Sequence, residues 1–102
     1  MNNKMNHRRA TMTPQSDKIA EIRDLLEQCG RQIALKKDEG GPLSWFASFD
    51  EETNLFYVDS VFTDDEALAF HQRNIGPILK GLPPLLAAPL ETEIRPVFTI
   101  AN

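Results

Sequence analysis

Apolar residues recur along the chain in two different periods, and each change of period marks an element. Between Gln15 and Lys37, the residues Ile19, Ile22, Leu26, Cys29 and Ile33 fall three or four positions apart and form one stripe, the pattern of an amphipathic helix. Pro14 suits its first turn, and Ser16 or Thr13 its cap; Gly40, Gly41 and Pro42 stop it. Gly30 interrupts the stripe and marks either close packing or a bend. From Leu43 to Phe49 the period falls to two, with Leu43, Trp45, Ala47 and Phe49 alternating with Ser44, Phe46 and Ser48. A charged turn, Asp50 to Thr53, leads to a second alternating run, Asn54 to Phe62. So short a link makes the two runs an antiparallel hairpin.

Thr63, Asp64, Asp65 and Glu66 read as a capping box with Thr63 at the cap. The helix they open runs to about Arg73. Gly76 and Pro77 break it, and Pro77 starts a short helix through Leu82. Leu90 to Ile100 alternates again as a last strand. Pro96 cannot donate to a ladder, which puts that strand at an edge or a bulge. Residues 1–12 are polar and carry at most a weak edge strand within His7 to Thr13. The basic run His7, Arg8, Arg9 reads as a solvated terminus rather than a binding arm.

This order, (β)αββα(α)β, predicts an α+β ferredoxin-like sandwich with an antiparallel sheet over residues 13–102, preceded by a polar segment, residues 1–12. Two helices cover one face of such a sheet. Apolar residues fall on both faces, since Phe46, Phe56, Val58 and Phe62 cannot share one with all of Trp45, Phe49 and Tyr57. The uncovered face predicts a homodimer.

The 102 residues suit one domain, and 41% hydrophobic with 25% charged residues is a globular balance. A net charge of −4 and a pI near 5.1 speak against nucleic acid as a partner. No run approaches a membrane span, the start lacks a secretory h-region, and the single cysteine suits a reducing compartment, so the expected location is cytoplasmic. No phosphate loop, zinc spacing or nucleophile elbow is present, and the Asp64/Asp65/Glu66 cluster has no further ligand at metal spacing. No metal or other cofactor is expected.

The stretches "EGGPLSWFASFD" and "LFYVDSVFTDDEALAFHQRNIGPIL", with Asp64, Ala67 and His71 in a D-x-x-A-x-x-x-H helix start, resemble the antibiotic-biosynthesis-monooxygenase-like family of dimeric α/β barrels, some members of which are named as quinol monooxygenases. The likeness covers about four fifths of the chain; the polar first strand departs from it. It implies a cofactor-independent monooxygenase that oxidises a small phenol or quinol with dioxygen in an apolar pocket. The alternatives are a non-catalytic dimeric binding module and an isomerase-type enzyme on the same scaffold.

His71 is the acid/base candidate, because imidazole transfers protons near neutral pH; a structural histidine bonded to a carbonyl is the competing reading. Asp59, odd within a strand, would orient His71 or bond an interface group, or else is a solvent-facing edge charge. Trp45 and Tyr57, with Phe70, would line an aromatic pocket or simply pack. Asn74 would hold a substrate oxygen or cap its helix. Cys29 reads as a core hydrophobe. An apolar cavity bordered by His71, Trp45 or Asp59 would favour an enzyme, and a solid core the module.

Overall fold

A computed structural model describes residues 4–101. Its elements are β1 (Asn6–Met12), α1 (Ile19–Leu35), β2 (Ser44–Asp50), β3 (Leu55–Phe62), α2 (Asp65–Leu79), a 3-10 turn (Pro83–Leu85) and β4 (Glu91–Pro96). The strands form one antiparallel sheet in the order β2-β3-β1-β4, the ferredoxin-like arrangement.

The largest difference from the sequence reading is β1. It is a full seven-residue strand at the centre of the sheet, paired with β3 on one side and β4 on the other. His7, Arg8 and Arg9 therefore belong to the sheet and not to a solvated terminus. β4 lies at an edge and ends at Pro96, where a missing N–H costs no ladder bond.

Alternation sorts the strands into two faces. Trp45, Ala47 and Phe49 of β2 stand opposite Ser60, Val58 and Phe56 of β3, which in turn stand opposite Arg8, Ala10 and Met12 of β1. This face meets the helices. Met12 and Phe56 join Ile22, Leu25, Leu26 and Cys29 of α1 and Ile75 of α2 in the core. Phe49 and Phe56 touch with ring centroids 4.6 Å apart. The apolar stripe of α1 thus does what its period predicts, burying Ile22, Leu26 and Cys29.

The helix termini differ in detail. α1 starts at Ile19 with Lys18 at the cap position and no side-chain cap. Ser16 lies in the turn before the helix, and the segment from Thr13 to Gln15 pairs with the chain after the 3-10 turn instead: Pro14 bridges Leu86, the Gln15 N–H donates to the Leu85 carbonyl, and the Ala87 N–H to the Thr13 carbonyl. At α2 the cap is Asp64 rather than Thr63, its Oδ1 accepting the Ala67 N–H at 2.8 Å. α2 also runs through Gly76 and Pro77 to Leu79 as a single helix. Pro77 sits in the last turn, where its missing N–H leaves only one intrahelical carbonyl unserved.

Candidate functional site

α2 brings His71 over the helix-covered face of the sheet, where the ring lies 5.1 Å from that of Phe62, centroid to centroid. There it borders a partly open cavity of about 240 Å³. Trp45 from β2, Ser60 from β3, Arg8 from β1 and Thr92 from β4 line the same space, and Cys29 and Ile75 contribute apolar wall. A cavity of about 150 Å³ holds a benzene molecule, so this one has room for a single substituted ring.

The electrostatics of this cavity are specific. Burial, and then the positive charge of Arg8, push the His71 imidazole down to about 4, so the ring is neutral at pH 7. Its Nδ1 is buried and makes no hydrogen bond. An unsatisfied buried nitrogen costs about 1–3 kcal/mol and suits a site that a ligand completes. Cys29 is fully buried, and burial pushes its thiol up to about 11, which leaves it protonated and unreactive. Among the described residues no group of three or more His, Cys, Asp or Glu stands together as a metal site.

Trp45 and His71 meet at the cavity; the other candidates lie elsewhere. Asp59 and Tyr57 face the opposite side of the sheet, so Asp59 does not orient His71. The Asp59 carboxylate is buried and bonded through Oδ1 to His7 Nε2 at 2.8 Å and Arg9 Nε at 3.0 Å. Burial pushes its pKa upward, but the hydrogen bonds and charges of Arg9 and His7 outweigh that and hold it below the usual carboxylate value. Its Oδ2 is buried without a partner. The Arg9 guanidinium also lies 5.0 Å from the Tyr57 ring centroid. Asn74 ties α2 to α1, accepting from Gln32 Nε2 at 2.8 Å and donating to the Gln32 carbonyl at 3.4 Å. Phe70 packs on the loop after α1: a Cβ on Gly40 would stand 3.0 Å from its ring.

Arg8 is the residue that sequence reasoning missed. Its signal was available in the alternation of Arg8, Ala10 and Met12 against His7, Arg9 and Thr11. Gly30 is settled as close packing, because a Cβ there would stand 3.3 Å from Trp45 Cζ3. Gly30 and Trp45 also line a second hollow of about 260 Å³ between α1 and the sheet, which no histidine borders.

No protein-family model matches the sequence, and no curated protein matches it. Solved structures do. A putative antibiotic biosynthesis monooxygenase from Caulobacter crescentus CB15 superposes with a TM-score of 0.82 at 19% identity, over 95% of this chain and 92% of that one. A second protein of the same description, from Chloroflexus aurantiacus J-10-fl, gives 0.77 at 15% identity over 96% and 97%. A protein of unknown function from Nitrosomonas europaea gives 0.77 at 20% identity over 98% and 95%. Identities this low speak to the backbone, and they show that the chain has the α+β ferredoxin-like fold of the antibiotic biosynthesis monooxygenases.

Proposed function

We propose that the chain is a cofactor-independent monooxygenase that oxidises a one-ring phenol or quinol with dioxygen in the His71 cavity. The observation that carries this reading is a neutral histidine, with an unpartnered buried Nδ1, on the wall of a cavity that also presents Trp45 and fits one ring. Trp45 stacks on or edges against the ring, and apolar walls exclude water. His71 accepts the ring hydroxyl proton. The electron-rich phenolate then reduces dioxygen; one oxygen atom enters the ring as a carbonyl, the other leaves as water, and the substrate supplies every electron. The histidine is a weak base while the site is empty, which suits a hydroxyl acidified by its ring substituents.

The assembly that completes the reading is a homodimer formed through the face that carries Asp59. Both helices lie on the other side, Phe46 is half exposed, and the buried Asp59 Oδ2 lacks the donor that a second copy would supply.

Oxygen consumption with a panel of one-ring quinols tests the reaction. Turnover is expected in the wild type and a loss of about 10²–10⁴-fold in His71→Gln with folding intact. No uptake across the panel, or uptake indifferent to His71→Gln, would remove the proposal and leave a binding module.

A further inference from the structure

The cavity is lined by a cation that pairs with no acid among the described residues. Arg8 lines it, and Arg8 takes part in none of the ion pairs among the described residues. Its chain neighbour Arg9 is committed to Asp59 on the other face of the sheet. Asp64 and Asp65 share an adjoining hollow with Arg8 but form no ion pair with it, and Asp64 spends Oδ1 on the α2 cap. The other polar groups on the wall, Ser60, Thr92 and Gln72, bring no charge. Among the described residues Arg8, partly buried, is thus the one charged side chain on a wall whose imidazole is neutral and whose thiol is protonated.

We infer that Arg8 is an anion-binding, specificity-determining residue and that the cavity selects one-ring aromatic carboxylates over their neutral counterparts. The guanidinium offers a planar fork of donors that matches a carboxylate in two parallel hydrogen bonds. The ring then lies along Trp45 toward His71. A bound carboxylate also offsets the charge that Arg8 exerts on His71, the smaller of the two causes that depress the imidazole, while burial remains. The inference rests on the cavity being the ligand site of the preceding reading, and it names the class of ring that enters.

Benzoate and benzamide have nearly the same shape and differ in charge. Trp45 is the only tryptophan, so its fluorescence reports from the cavity wall during titration with either probe. Benzoate should bind about tenfold more tightly than benzamide, the scale of one charge-assisted hydrogen-bonded pair. Arg8→Met should abolish that preference, weakening benzoate more than benzamide, and Arg8→Lys should keep most of it. Equal affinity for the two probes in the wild type, a preference that survives Arg8→Met, or no binding of either at millimolar concentration would overturn the inference. The wild-type ratio needs no variant, so the test stands even if Arg8→Met does not fold. Turnover is not read here. A benzoate preference without oxygen uptake removes the oxygenase and keeps the anion site; turnover of neutral phenols without a carboxylate preference does the reverse.

Discussion

Arg8 and Arg9 are consecutive residues of one strand that serve opposite faces of the sheet: Arg9 Nε donates to the buried Asp59 Oδ1 at 3.0 Å, while Arg8 lines the cavity beside His71. The two-residue period of β1 thereby divides a basic dipeptide into a cation that clasps a carboxylate and one that lines a cavity.

Asp59 is the anchor of the structural half. Asp59→Ala strands His7 and Arg9, and it should destabilise the chain by about 1–3 kcal/mol in urea unfolding. That is less than removal of one partner from a fully buried pair costs, because both cations are partly exposed. Asp59→Asn keeps an acceptor and should cost less. Equal stability of Asp59→Ala and the wild type would show that the clasp holds nothing.

The Gly30 contact couples helix α1 to the cavity wall. Gly30→Ala favours the helix by about 1 kcal/mol, but the added methyl presses on Trp45 at 3.3 Å. The two effects oppose, so stability should change by less than about 1 kcal/mol while the Trp45 emission shifts and probe affinity falls. Unaltered emission and affinity would mean that Trp45 yields without moving the wall.

Phe70 and Asn74 separate packing from binding. Phe70 rests on the Gly40 loop and Asn74 clasps Gln32, both away from the His71 cavity. Phe70→Ala should cost about 1–3 kcal/mol as a half-buried aromatic, and Asn74→Ala about 1 kcal/mol. Neither should change the affinity for a cavity ligand, and a selective loss of binding without loss of stability would return either residue to the site.

The α1 stripe and the hairpin were legible because each turns an apolar side to the core, so hydrophobicity follows the backbone period; the edge position of β4, exposed throughout, was legible from Pro96, which has no N–H to donate. β1 was not. One of its faces clamps a carboxylate through His7 and Arg9, and the other turns Arg8 to a cavity, so a central strand carries apolar residues only at Ala10 and Met12. α2 was cut short for a different reason: a proline near a helix end gives up too little to break it. At the site, the residue types of His71 and Trp45 pointed to the cavity. Asp59 and Tyr57 could be assigned to the other face only once the register of β3 was known.

The proposed dimer turns on Phe46. It stands opposite Asp59 in the β2–β3 register and is 54% exposed, so Phe46→Glu should leave the single chain's stability within about 0.5 kcal/mol. In a pair of chains the same glutamate is buried against a second sheet and near Asp59, and it should prevent association. Sedimentation should give a dimer for the wild type at micromolar concentration and a monomer for the variant. A wild-type monomer would remove the dimer.

His71 and Asp59 should set the acid side of stability in separate ranges. His71 has a folded pKa of about 4 against an ordinary value of 6.5, so between those values the unfolded chain takes up a proton that the folded chain refuses. Stability is therefore full above about pH 6.5 and declines as the pH falls toward 4, by about 1–2 kcal/mol once solvent screening of a partly exposed ring is allowed for. Asp59 acts lower. Its folded pKa lies below the ordinary carboxylate value, so its contribution is present above that value and is lost only as the pH falls further. His71→Phe should flatten the decline between about pH 6.5 and 4 and leave the limb below it unchanged; Asp59→Asn should do the reverse. Arg8→Met should move the His71 titration upward, because it removes the second cause of the depression while burial remains. Urea unfolding at each pH, with the imidazole signals followed by NMR, reads all three variants, and a His71→Phe profile parallel to that of the wild type would show that the ring titrates at an ordinary pKa in the folded chain.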